Sequence, residues 1–324
     1  MRCKASDCDV FLVVSELVFH IGFHKTGTTA LQAYLRRHAD EIAAGGLRYP
    51  SPLIGPGHAE EIKRFEVSGE LLVEGIDIKK FVESSSGGVL ISSERLCNLS
   101  EGDVLRLRQS VGGKVKIFAM VRDFREFLGA AYFEQLKNGV TKEEPGSFML
   151  RNAHLSNFEV RLRPWRSVFG EESVEIFRYE DGLDPMVQQL LGLTSDRIPK
   201  LSLDGIPVLN KSASAFALIA YQRLEAAGLF LSDDKGEAIE QRKELFELLS
   251  SSSEYVRPAA LTALSSAEGL DQLLLEFDDA MVSSFGLRIL RDLSGSEIQS
   301  IIDYEAVEDW RVWSAVASIM SQIL

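Results

Sequence analysis

Between Phe19 and Thr29 the chain reads Phe19-His20-Ile21-Gly22-Phe23-His24-Lys25-Thr26-Gly27-Thr28-Thr29, an apolar run that breaks into a Gly/Thr loop with one lysine. A helical pattern follows, because Leu31, Tyr34, Leu35 and His38 recur at i, i+3, i+4 and i+7. A strand, a tight G-x-x-x-x-G-T-T turn and a helix start bring backbone N–H groups and hydroxyls to one point, which is the layout of a phosphate cradle. The lysine separates this loop from an ATP-type one. There it follows the second glycine directly, whereas here that place holds Thr28 and the lysine sits two residues before Gly27.

Apolar runs at Leu17 to Phe23, Gly88 to Ser92 and Val115 to Val121 are short, apolar on both faces and separated by helical-length segments. That pattern fits buried parallel strands covered by crossover helices, and a fourth is expected at Ser173 to Phe177. The expected fold is therefore α/β, a parallel sheet flanked by helices. Ligands in such sheets sit beyond the carboxyl ends of the strands. His24 to Thr29, Ser93-Glu94-Arg95 and Arg122 directly follow the runs, so the topology gathers them at one crevice. Beyond Pro207 the pattern is helical to Leu324, a C-terminal extension expected to pack on the sheet domain. The divisions read as 1–16, a lead-in without an assigned role; 17–210, the α/β domain; and 211–324, the helical region.

A net charge of -13 disfavours general nucleic-acid binding. The basic stretch Arg106, Arg108, Lys114, Lys116, Arg122 and Arg125 reads mainly as a solvated face. Cys3, Cys8 and Cys97 offer neither a disulfide framework nor metal-ligand spacing, so a reduced, metal-free and cytoplasmic protein is expected. Val10 to Val14 is too short to span a membrane, and Asp7, Asp9 and Glu16 around it do not suit a secretory signal.

Asp123 and Glu126 read as a capping box that opens a helix and fixes Arg122 at a strand end, its fork either free to grip a phosphate or paired with Asp123 or Glu180 to tie sheet to helix. With the loop and Ser92-Ser93-Glu94, this arginine makes the chain resemble the sulfotransferases that use 3'-phosphoadenosine 5'-phosphosulfate (PAPS), in particular their bacterial branch. The resemblance rests on His20-Ile21-Gly22-x-x-Lys25-Thr26-Gly27-Thr28-Thr29, Val89-Leu90-Ile91-Ser92-Ser93-Glu94, Val121-Arg122-Asp123 with Ala131-Tyr132-Phe133, Arg178-Tyr179-Glu180 and Asn210-Lys211-Ser212. It spans residues 17–215 and implies a P-loop α/β fold with PAPS as co-substrate and no required metal. It further implies that Lys25, Thr26, Gly27, Thr28 and Thr29 hold the 5'-phosphosulfate and Arg122 the 3'-phosphate, with Lys211 and Ser212 supplying further contacts. Two positions depart from the family pattern. His24 replaces the usual proline and adds a titrating group beside the sulfate. Ala130 replaces the usual serine, removing a bond to a charged group worth on the order of 1.5–3 kcal/mol.

In sulfuryl transfer Lys25 would stabilise charge on the leaving oxygen. Glu94, His58 and His24 are the candidate bases for the acceptor hydroxyl. The acceptor is expected to be a small molecule or a carbohydrate, shaped by residues 51–82 and the C-terminal helices. Trp165 and Tyr132 read first as core, and stacking on a ligand is the alternative. Two other classes stay open: a small-molecule kinase, in which a hydroxyl of Thr28 or Thr29 and the Glu94 carboxylate would serve Mg²⁺, and a catalytically weak nucleotide-binding module.

Overall fold

The computed structural model describes residues 16–192, apart from 86, 139, 142 and 144, together with residues 269–290. The chain runs through β1 (Glu16–Gly22), α1 (Thr28–Arg37), α2 (Ala39–Ala44), β2 (Leu47–Arg48), α3 (Ala59–Ser68), β3 (Leu72–Val73), β4 (Ile76–Asp77), α4 (Ile78–Ser84) and β5 (Gly88–Ser93). It continues through α5 (Glu101–Ser110), β6 (Lys114–Val121), α6 (Phe124–Lys137), α7 (Pro145–Asn152), α8 (Phe158–Phe169), β7 (Val174–Arg178) and α9 (Asp184–Gly192). A further helix, α10 (Leu270–Phe285), is described in the C-terminal region.

Five parallel strands form one sheet in the order β2-β5-β1-β6-β7. The fold is α/β, a parallel sheet flanked by helices. Side-chain alternation along β1 explains why both faces are apolar. Leu17, Phe19 and Ile21 enter the core shared with α6 and α8, while Val18 faces the layer of Leu31, Tyr34 and Leu35 from α1 and Leu190 from α9. Trp165 and Tyr132 are both core. The indole is fully buried 5.9 Å from Phe19, and the Tyr132 hydroxyl donates to the Glu143 carbonyl. From α10, Leu270, Leu274 and Met281 join this core.

Strand β5 lies on one side of β1 and β6 on the other, with Ile21 beside both Ser93 and Ala119. Helices leave in different directions here, which opens a crevice beyond the end of β1. The basic stretch is neutralised in place: Arg106 pairs with Asp103, Lys114 with Glu16, Lys116 with Glu175 and Arg125 with Asp271. Asp123 caps α6 by accepting from the amides of Arg125 and Glu126. The expected reciprocal arm is organised otherwise. The Asp123 amide donates to Glu180 Oε1 at 2.9 Å, which ties the end of β7 to α6, and Glu126 turns to Arg122. Among the described residues, no helix is long and apolar enough to cross a membrane. The lead-in before Glu16, together with Asn210, Lys211 and Ser212, lies outside the described residues.

Candidate active site

The cradle is built by backbone sign changes. Lys25 (φ 63°) and Gly27 (φ 77°) both adopt left-handed conformations, so the chain reverses within His24 to Gly27 and enters α1. Its walls are close. A Cβ on Gly22 would lie 2.5 Å from Thr28 Cγ2 and 2.7 Å from Thr28 Oγ1. The Thr26 and Thr28 hydroxyls both donate inward to the Phe23 carbonyl, at 2.7 and 3.2 Å. These two threonines therefore shape the turn, and the exposed hydroxyl of the series is that of Thr29. Helix α1 has no side-chain cap at Gly27 and no acidic residue in its first turn, which leaves its leading amides to an anion.

Arg122 lies against this turn. Its Nη1 donates to the Lys25 carbonyl at 3.0 Å, its Nη2 donates to Glu126 Oε2 at 2.9 Å, and its buried Nε has no hydrogen-bond partner among the described residues. The guanidinium carbon sits 4.8 Å from the centre of the Tyr179 ring. The same ring backs Gly27, whose added Cβ would approach Tyr179 Cε2 to 3.1 Å. Tyr179 thus packs against both the strand-end arginine and the loop, and its neighbour Glu180 fixes the start of α6.

The Lys25 ammonium lies 2.8 Å from Glu134 Oε1. His24 Nδ1 lies 3.0 Å from Glu94 Oε2, and this hydrogen bond, with the nearby charge, raises the His24 pKa above its usual value despite partial burial. Three cationic groups therefore ring the turn, each against a glutamate: Lys25 on Glu134, Arg122 on Glu126 and His24 on Glu94. Ala130 stands on α6 with no polar group to offer.

His58 is fully buried. The Ser92 amide donates to its Nδ1 at 3.2 Å, so Nε2 carries the proton and donates to the Pro50 carbonyl at 3.2 Å. Burial lowers its pKa to about 4. The same layer holds His20, whose Nδ1 is 2.8 Å from Ser92 Oγ and whose pKa burial also lowers to about 4. Gln32 Nε2 donates to Ser92 Oγ at 3.1 Å, completing a buried polar brace between α1 and β5. His58 belongs to that brace.

From the sequence, Glu126 reads only as a helix cap and Tyr179 only as part of Arg178-Tyr179-Glu180, and Glu134 has no assigned part. The i, i+4 spacing of Arg122 and Glu126 was a readable signal for one of them. Glu134 continues the same row along α6, two turns further on.

No family model matches the chain, and no curated protein does. Among solved structures, the sulfotransferase from Alicyclobacillus acidocaldarius is similar, with 16% sequence identity over 72% of this chain and 94% of that chain, at a TM-score of 0.38.

Proposed function

We propose that this chain transfers a sulfuryl group from PAPS to a hydroxyl of a small-molecule or carbohydrate acceptor, in the cytoplasm and without a metal. The observation that carries this reading is the meeting of an uncapped helix start, the Lys25 ammonium and the Arg122 guanidinium around one left-handed turn. The residues present suit a doubly anionic nucleotide. The first-turn amides of α1 lack a side-chain cap, and among the described residues the buried Arg122 Nε has no partner, which is the kind of unsatisfied donor that an anion completes.

On this reading His24, Lys25, Thr26, Gly27, Thr28 and Thr29 hold the 5'-phosphosulfate end. Thr26 and Thr28 do so by fixing the amides, and Thr29 offers its hydroxyl. Arg122 binds the 3'-phosphate, with Lys211 and Ser212 as further contacts. The donor supplies an activated sulfuryl group. Lys25 neutralises charge on the phosphate oxygen that departs as the bond to sulfur breaks. Glu94 takes the proton of the acceptor hydroxyl as the new bond to sulfur forms, while His24 orients its carboxylate. Both nitrogens of His58 are engaged by backbone, which favours Glu94 as the base.

A P-loop kinase would carry its lysine directly after the second glycine, where this chain has Thr28, and that displaced lysine favours the transferase. The test is a panel of hydroxyl acceptors incubated with PAPS, with release of 3',5'-bisphosphoadenosine as readout. Acceptor-dependent release is expected, with the acidic limb of the pH–rate profile lost in Glu94→Gln and kept in His58→Ala. Phosphoryl transfer from MgATP without sulfuryl transfer would identify the kinase. Nucleotide binding without turnover would identify a non-catalytic module.

A further inference from the structure

Helix α6 presents Glu126 and Glu134 eight residues apart, about two turns, on the row that faces the cradle. One carboxylate holds Arg122 and the other holds Lys25, at 2.9 and 2.8 Å. The residue between them on that row is Ala130, so the carboxylates alone give this face its polar character. The two pairs differ in setting. Arg122 and Glu126 are 11% and 12% exposed, while Lys25 and Glu134 are 21% and 49% exposed. A half-exposed ion pair is weak and exchanges readily, whereas an enclosed one is structural. The Lys25 backbone is itself pinned, because Arg122 holds its carbonyl at 3.0 Å, so its ammonium can change partner without moving the loop.

We propose that Glu134 is a positioning residue that holds the Lys25 ammonium in the anion-free cradle and yields it when an anion binds, and thereby sets the cradle's affinity. This rests on Lys25 being the cation that meets the anion. The consequence has a sign that a merely structural ion pair lacks. Removing the charge of Glu134 should tighten anion binding, because the anion no longer competes for the ammonium and a repelling charge a few ångströms away is gone.

The test is calorimetry at low salt with two probes, pyrophosphate and 3',5'-bisphosphoadenosine, on the wild-type chain, Glu134→Gln, Glu134→Asp and Lys25→Met. Glu134→Gln is expected to bind both probes about five- to tenfold more tightly. Glu134→Asp is expected to stay near wild type, and in the Lys25→Met background the gain from Glu134→Gln should vanish. Unchanged or weaker binding of both probes by Glu134→Gln overturns the proposal. So does a gain that persists without Lys25. If Glu134→Gln fails to fold, the proposal is equally wrong, since a yielding contact cannot be essential to the fold. If both probes gain but the bisphosphate binds no better than pyrophosphate, Glu134 keeps its role and the PAPS reading fails instead.

Discussion

The Arg122 guanidinium donates to the backbone carbonyl of Lys25 at 3.0 Å, joining two points 97 residues apart in sequence. That single bond fixes the strand-end arginine relative to the left-handed turn. It also means that the cation expected for the 3'-phosphate supports the loop expected for the sulfate.

Replacing Arg122 therefore affects more than charge. Arg122→Lys keeps the cation but loses the fork that reaches Lys25 and Glu126 together. Binding of 3',5'-bisphosphoadenosine is expected to weaken by on the order of 1.5–3 kcal/mol, the worth of a hydrogen bond to a charged group. Isothermal titration checks this, and unchanged affinity would remove Arg122 from the site.

Lys25→Ala is expected to lower turnover by about 10²- to 10³-fold, the usual effect of deleting one preorganised donor to a developing anion. Because its pair with Glu134 is partly exposed, thermal stability should barely change. Turnover within a few-fold of wild type would contradict the catalytic role.

Gly22→Ala would drive a methyl group to within 2.5 Å of Thr28 Cγ2. Thr28 belongs to the packed start of α1, so a cost of about 1–3 kcal/mol is expected from overpacking. A thermal unfolding scan would show a lower Tm. A Tm equal to that of wild type would mean that the cradle is looser than described.

Acid stability should report the buried histidines. His20 and His58 fall from an ordinary 6.5 to about 4 through burial. The unfolded chain takes up their protons first as pH drops, so stability is lost progressively between about pH 6.5 and 4, by about 3 kcal/mol for each histidine. His58→Gln, whose amide can accept from Ser92 and donate to Pro50, should flatten part of that slope in denaturant titrations. His24 moves oppositely. Its NMR titration midpoint should lie above 6.5 and fall in Glu94→Gln, because Glu94 is its chief stabilising partner.

Strands β1, β5 and β6 were legible because strands buried on both faces read as near-continuous apolar runs, and the half-buried β7 as the short run that ends at Arg178-Tyr179-Glu180-Asp181. The ends of β1, β5, β6 and β7 fall within a residue of those expected. Strands β2, β3 and β4 were not, since two residues carry no periodicity. Loop and arginine were legible as local patterns. Their carboxylate partners were not, because Glu134 reaches Lys25 only through the angle at which α6 lies across the sheet, a tertiary quantity. The setting of His58 was not legible for a related reason. Gly55-Pro56-Gly57-His58 carries turn residues, yet the imidazole is buried and accepts from the Ser92 amide.

The most direct measurement is calorimetric titration of 3',5'-bisphosphoadenosine in EDTA, set beside ATP with Mg²⁺. The account predicts metal-independent binding of the bisphosphate that Lys25→Ala and Arg122→Lys each weaken, with ATP binding poorly. Binding of MgATP in preference to the bisphosphate, or bisphosphate binding indifferent to both substitutions, would contradict it.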